Sequence, residues 1–471
     1  MGMSLEITEE LIARQSPEAQ AIIRLLLARI AEQDRRIAEL EARLNKSPRN
    51  SSLPPSSQHP HAKPAPKKRK SKRKRGAQPG HAKHVRPLLP ADQCDNVYPI
   101  KPSECRRCGT KLSGSDADPL RHQVWELPEL RPIVSEYQRH RLACRGCGAV
   151  TCGELPSGVP RGQAGPRLVA FTALLMGSFR LSKRKTAWFL SSILNVPCST
   201  GWVVKLQQQA TAGLRPAYDD LVARLPEQGR LNIDESPHKQ GKLKTWLWAF
   251  VAAQFTVFAL RLSRKAEELY AHIGEQFSGA VGCDRAKMYV RLELIQWCWA
   301  HLKRDFQALI DGPDRQAQRL GRELMREVEA MFALWGRVRD GTLSRRALKG
   351  QMSPIRRRVE ALLLRGVFSG NPRLTGMCDE LHRGRANLWT FIDFKGIGPT
   401  NNDAERALRH AVIWRKLSFG TQSAAGSRFV ETMLTVIETC RQQHVNAFSY
   451  LVQAMEAHFA ARPAPKLLAA A

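Results

Sequence analysis

Asp234, Asp284 and Glu405 are the residues whose types and order suggest chemistry. Asp234 ends the predicted strand in GRLNIDES, Asp284 ends the one in GAVGCD, and Glu405 falls in the first turn of a helix beginning NNDAERALRH. If the two strands are parallel neighbours, about 4.8 Å apart, their carboxylates lie side by side. Such a pair repels unless a cation sits between its members. A third acid from a helix completes a site for two hard cations, Mg2+ or Mn2+, about 3.5–4 Å apart. Two cations so placed activate water or a 3′-hydroxyl for in-line attack on phosphate. Each acid also has an ordinary reading. Asp234 suits a strand-end turn, and Glu235 beside it is a competing ligand. Asp284 can pair with Arg285, and Glu293 is an alternative second acid. Asn402 can cap the helix with Glu405 at capping-box spacing, and Glu405 and Arg409 are spaced to pair on one face.

The second chemical signal is a pair of CxxC motifs. Cys105 and Cys108 lie in CRRCG, Cys144 and Cys147 in CRGCG. The glycine after each lets the backbone turn so that amide N–H groups face the thiolates, and four thiolates satisfy tetrahedral zinc. The spacing predicts a structural zinc ribbon whose arms are hairpins from HQVWELPEL and IVSEYQRHRLAC, with Cys94 and Cys152 as spare ligands.

The elements that must position these residues follow from periodicity. GRLNIDES, KTWLWAFVAA and FTVFALRL read as three consecutive strands, SRKAEELYAHIGEQF as a helix, then GAVGCD and IQWCWA as strands. A meander followed by a crossover to a parallel strand is an RNase H-like order. Residues 312–392 are helix-patterned throughout, and two more helices follow the Gly-rich turn SFGTQSAAGS. Upstream, SKRKTAWFLSSIL–NVPCS–TGWVVKLQQQA has a helix-turn-helix outline, with Ser199 or Thr200 as the second cap. Ile23, Leu26, Ile30, Ile37, Leu40 and Leu44 occupy a and d heptad positions, with Gln33 as one polar d, which predicts a short self-associating coiled coil. The fold class is therefore multidomain α/β: an RNase H-like core with an all-α insertion, preceded by a coiled coil, a zinc ribbon and a helix-turn-helix-like segment. The predicted divisions are an N-terminal helix or coiled coil (1–45), a disordered basic linker (46–90), the zinc-ribbon DNA-binding domain (91–160) and the helix-turn-helix-like domain (161–225). The first part of the core (226–311), the helical insertion (312–395) and the rest of the core with its C-terminal helices (396–471) complete the chain.

Composition sets the partner class. The chain has 471 residues, 43% of them hydrophobic, and a formal charge of +31, which points to a polyanion. Lys67, Lys68, Arg69, Lys70, Lys72, Arg73, Lys74 and Arg75 form one basic block, and Lys183, Arg184 and Lys185 another. Arg406, Arg409, Arg415 and Lys416 follow Glu405 and can hold phosphates near it. No apolar run is long enough to span a membrane. The acidic N-terminus lacks a secretory core, and eleven cysteines suit a reducing compartment, so a cytoplasmic location is expected.

The chain resembles the large transposase of the insertion-sequence sixty-six family, a bacterial DDE transposase. The similarity runs through LNKSPRNSSLPPSSQ, GAQPGH, CRRCG, CRGCG, IDES and CWAHLKRDF, and is most specific in NNDAERALRHAVIWRKLSFGTQS. The resemblance implies Asp234, Asp284 and Glu405 as the triad, with a helical insertion filling the 121 positions between the last two. It further implies Mg2+- or Mn2+-dependent cleavage and strand transfer of double-stranded DNA, structural zinc and small accessory proteins. Where the family's second Asp is usually followed by Gly and Tyr, this chain has Arg285, Ala286 and Lys287, with Tyr289 further on. Cys298 and His301 resemble a Cys/His pair seen in many DDE enzymes, although a buried thiol and a strand-end His fit equally. Two other classes share these motifs: an inactive DNA-binding derivative acting as a repressor, and a nuclease that only hydrolyses.

Overall fold

The computed structural model describes residues 9–44, 46–48, 50, 51, 81 and 86–468. The basic block Lys67–Arg75 and nearly all of the predicted linker lie outside the described residues. The chain forms two units, Met1–His59 with Ile133–Ala471, and Pro60–Pro132.

The larger unit begins with α1 (Glu9–Ala13) and α2 (Pro17–Leu44), then the hairpin β1 (Arg141–Ala143) and β2 (Val150–Cys152). Helices α3 (Pro166–Gly177), α4 (Lys183–Ile193) and α5 (Thr200–Ala223) follow. Next come β3 (Arg230–Gln240), β4 (Leu243–Val251), β5 (Thr256–Arg261), α6 (Ala266–Ile273), β6 (Ala280–Cys283), β7 (Ile295–Trp297) and α7 (Trp299–Ile310). Helices α8 (Arg315–Arg339), α9 (Arg345–Val367), α10 (Pro372–Arg383) and α11 (Thr390–Asp393) precede α12 (Asn402–Ser418), α13 (Ala424–Gln442) and α14 (Ala447–Phe459).

The sheet order is β5-β4-β3-β6-β7. β3, β4 and β5 form an antiparallel meander, and β6 and β7 run parallel to β3 and to each other. That is the predicted strand order. Apolar runs on β4 and β5 are buried on both faces (Leu247–Val251, Val257–Ala259) because helices cover them. Residues of α3, α5, α12, α13 and α14 share one hydrophobic cluster with this sheet. The helix-turn-helix-like pair α4–α5 is therefore continuous with the sheet's core, and Ser199 caps α5 by accepting from Trp202 N–H at 3.1 Å. A second cluster lies among α7–α11, built from residues such as Leu324, Val328, Met352 and Leu363.

An edge strand exposes backbone donors and acceptors that must be satisfied or covered. Along β5, Leu260, Phe258 and Thr256 N–H donate to Glu431 Oε2 (3.0 Å), Thr435 Oγ1 (2.9 Å) and Thr439 Oγ1 (3.3 Å) of α13. The match is metric: four helical residues rise about 6 Å, close to the roughly 6.6 Å of two strand residues. At the other edge, Thr390 Oγ1 donates to Ile295 O (2.5 Å), and Gln296 accepts from Phe391 N–H (2.8 Å). The insertion's return thus seals β7.

Three expectations need correcting. HQVWELPEL forms no strand, and IVSEYQRHRLAC is a strand only at Arg141–Ala143, because short exposed segments with no covering layer pair over few residues. Strand β3 does not stop at Asp234. It runs to Gln240 on β4 alone, and tolerates Pro237 where it has a single partner strand. Asn402 does not cap α12: the N-cap is Asn401, whose side chain makes no capping bond and turns inward instead.

Candidate active site

The site forms where β3 and β6 diverge. Their parallel register pairs Arg230 with Ala280, Leu231 with Val281 and Asn232 with Gly282. Continued by two residues, it sets Asp234 opposite Asp284 on the side shared with Asn232. Gly282 is required here, since a Cβ would lie 2.6 Å from Asn232 Nδ2.

Asn232 holds the third element. Its Nδ2 donates to Asn401 Oδ1 (2.9 Å), Asn401 Nδ2 donates to Ile233 O (2.7 Å), and Asn401 N–H donates to Cys298 Sγ (3.2 Å). Asn401 is 1% exposed. Trp299 N–H adds a bond to Pro399 O at 2.9 Å. The start of α12 is therefore tied to β3 and to the β7–α7 junction, and Glu405 stands one turn beyond the tie.

Glu405 does not pair with Arg409 among the described residues. Its Oε1 lies 3.4 Å from His301 Nε2 and 3.7 Å from Arg304 Nη2. Ligand atoms of Cys298, His301 and Glu405 fall within 4.8 Å of one another. His301 Nδ1 is buried with no hydrogen-bond partner among the described residues. Asp284 is likewise not paired with Arg285, which bonds Asp305 (2.6 Å) and Glu380 (2.9 Å). Asp284 accepts from Ala286 N–H (2.8 Å) and faces Arg264 Nη2 at 3.6 Å.

Glu235 is a fourth acid at this site. It is held by Arg264 Nε (2.5 Å) and by the Tyr289 hydroxyl (2.7 Å), and Arg264 also lies over Trp246 at 5.3 Å. Burial and the neighbouring carboxylates of Glu235, Asp284 and Glu405 push Asp234 well above the usual carboxylate range. Burial, then Asp284, pushes Glu235 up to about 7 against the pull of Tyr289 and Arg264. Burial, then Arg304, lowers His301. Asp234 and Glu235, raised by burial and by neighbouring carboxylates, mark a place where a cation would relieve repulsion, and carboxylate oxygens such as those of Asp234, Asp284 and Glu405 are the donor type that a hard divalent ion takes. An open cleft of about 520 Å3 is lined by Arg264, Asp284, Lys287, His301 and Asp305 among others.

The basic residues take different places. Lys183, Arg184 and Lys185 are exposed in the first turn of α4, capped by Ser182. Arg406 pairs with Asp403, while Arg409 and Lys416 are exposed. Arg415 bonds Ser236 Oγ (3.1 Å) and the Pro237 carbonyl, so it also ties α12 to β3. Glu293 is exposed on the turn before β7.

The two CxxC motifs make the same turn. Gly109 N–H donates to Cys105 O (2.9 Å) and Cys105 N–H to Thr110 O (2.9 Å). Gly148 N–H donates to Cys144 O (2.8 Å) and Cys144 N–H to Ala149 O (2.8 Å). Both glycines have left-handed φ, 75° and 73°, which only glycine adopts without strain. The Thr110 hydroxyl and amide lower the Cys108 thiol pKa, and the backbone N–H groups of Cys147 and Gly146 lower that of Cys144. Cys94 Sγ accepts from Gln123 Nε2 at 3.3 Å, and Cys152 ends β2.

Sequence reasoning missed Asn232, Asn401, Arg264 and Arg304. The one available signal was the doubled Asn401-Asn402 ahead of Glu405, of which a single residue suffices as a cap.

Residues 161–428 match the family described as "Transposase IS66 family", which covers more than half of the chain. Residues 9–87 match a family of unknown function. The uncharacterised protein y4hP of Sinorhizobium fredii is 24% identical over 426 residues, 81% of this chain and 75% of the relative. The uncharacterised protein y4qI of the same organism is 25% identical over 399 residues, 76% of this chain and 71% of the relative.

Proposed function

The chain belongs to the IS66 transposase family, and from that premise we propose that it cuts the ends of its element and joins them to target DNA at the Asp234, Asp284 and Glu405 site. The observation that carries this reading is the β3–β6 register, which continued by two residues sets Asp234 opposite Asp284, with Glu405 one turn from a buried tie to β3. Family membership implies DNA as the partner and nucleic-acid processing as the activity. The sheet order supports an RNase H-like core.

In this reading Asp234, Asp284 and Glu405 hold Mg2+ or Mn2+, with Glu235 behind them. The bound cations supply Lewis acidity and a more acidic bound water. The chain's own residues do the rest. Asn401 fixes Glu405, Arg264 holds Glu235 and faces Asp284, and His301 and Arg304 restrain the Glu405 carboxylate from its other side. Exposed Lys183, Arg184, Lys185, Arg409 and Lys416, with the block from Lys67 to Arg75, bind DNA backbone, an attraction that weakens as salt rises. Cys105, Cys108, Cys144 and Cys147 hold one structural zinc ion. Two thiolate-favouring turns of equal geometry support this. Helix α2 brings copies together, accessory proteins of the element assist, and the work is done at the bacterial nucleoid.

The test is cleavage of a labelled fragment carrying the element's own ends in Mg2+. Nicks at the ends with wild type, and none with Asp234→Asn, Asp284→Asn or Glu405→Gln at equal DNA binding, support the reading. End binding with no nick by wild type, alone or with the element's accessory proteins, points to a repressor derived from the family.

A further inference from the structure

The long exposed seam of α2 carries more information than its apolar residues. Leu26, Ile30, Ile37 and Leu40 are 53%, 52%, 54% and 49% exposed, so none of the described residues covers them. With Ile23, Ile30, Ile37 and Leu44 at a and Leu26, Gln33 and Leu40 at d, the g positions hold Ile22, Arg29 and Arg36, and the e positions hold Leu27, Asp34 and Glu41. β-Branched residues at a with leucine at d favour two parallel strands, and the single polar Gln33 penalises slipped registers.

The flanking charges choose the direction. In a parallel, in-register pair, each g residue meets the e residue five positions later on the other copy. Arg29 then meets Asp34, Arg36 meets Glu41, and Ile22 meets Leu27, each twice by symmetry. In an antiparallel pair g meets g and e meets e, which sets arginine against arginine and acid against acid. Among the described residues, the ion pairs within the chain on α2 are Arg24–Glu9 and Arg35–Glu32. Arg29, Asp34, Arg36 and Glu41 take part in neither. Their charges are complementary to a second copy of the same helix.

We propose that α2 pairs with α2 of a second copy as a parallel, in-register two-stranded coil, oriented by Arg29–Asp34 and Arg36–Glu41 pairs between copies. This deepens the self-association reading above and rests on it. Parallel pairing brings both Leu44 ends together at one end of the coil. Two copies are then presented in the same sense to two like DNA ends.

The test is sedimentation of the full chain over a concentration series. Arg29→Glu with Arg36→Glu turns four attractions into four repulsions and weakens the dimer on the order of 100-fold. Adding Asp34→Arg and Glu41→Arg restores g-to-e attraction and returns the affinity to near wild type. Reversal without effect, or a swapped variant as weak as the reversed one, overturns the orientation. Leu26→Asp with Ile37→Asp separates the two layers of the claim. If it leaves the dimer unchanged, the self-association reading itself fails. If it abolishes the dimer while the charge variants behave as wild type, only the parallel pairing fails. All these positions are exposed, so the rest of the chain folds in each variant.

Discussion

Replacing Asn401 by alanine tests whether the acids are placed by a buried polar tie. The change leaves Asn232 Nδ2 without its 2.9 Å acceptor and Ile233 O without its 2.7 Å donor. Both asparagines are nearly inaccessible, at 5% and 1% exposure, so water cannot replace the lost partners. An orphaned buried polar group costs about 1–3 kcal/mol, and two give a destabilisation of roughly 2–6 kcal/mol. The backbone bond from Asn401 N–H to Cys298 Sγ survives, so α12 still forms but loses the anchor of its N-terminal end to β3. End cleavage, compared where urea titration shows both proteins folded, falls at least about tenfold, as expected when a reacting group is displaced by a fraction of an ångström. The loss appears in kcat rather than in KM for DNA, because the exposed basic residues are unchanged. Asn401→Ala within about 0.5 kcal/mol of wild type and equally active would refute the tie.

Other outcomes follow from single contacts. Thr435→Val removes the acceptor of the buried Phe258 N–H and costs about 1–3 kcal/mol in urea, whereas Thr432→Val, whose hydroxyl has no partner among the described residues, is neutral or stabilising. Burial, then Arg261, holds His272 down to about 4, with Nδ1 facing Glu268 O and Nε2 facing Arg261 at 2.7 Å each. A lowered folded pKa gives stability that is present above the unfolded value near 6.5 and lost as pH falls through 4. The loss from this group between pH 7 and pH 4 is about 3 kcal/mol, and His272→Gln should reduce the pH dependence by that amount. Chelation should remove one zinc per chain and unfold the CxxC turns while leaving the sheet's circular dichroism intact; a metal-free wild type with unchanged turns would contradict the zinc assignment.

The strand order was legible because each strand carries its own signal: alternation in β3, unbroken apolar runs in β4 and β5, and short runs ending at Asp284 and Trp297. Helix α12 was legible from its charged first turn. What escaped were contacts between residues far apart in sequence. Asn232 and Asn401 lie 169 positions apart, and each alone looks like a turn or cap residue. The end of β3 was misread because Asp234 and Pro237 look like terminators, while pairing to β4 carries the strand past both. The seal of β5 was readable in principle from Glu431, Thr435 and Thr439 at intervals of four, which puts three polar residues on the buried side of an apolar helix. The Cys-rich arms offered no burial pattern to read, since their apolar residues remain exposed.

The central claim is that Asp234, Asp284 and Glu405 act as one site for joining DNA, and a strand-transfer assay tests it most directly. Purified protein, Mg2+ and DNA bearing the element's ends are incubated with a target plasmid, with Asp284→Ala run beside wild type. The account predicts end-to-target joints with wild type and none with the variant. Equal joining by both would contradict it, as would wild-type ends that are cut but never joined.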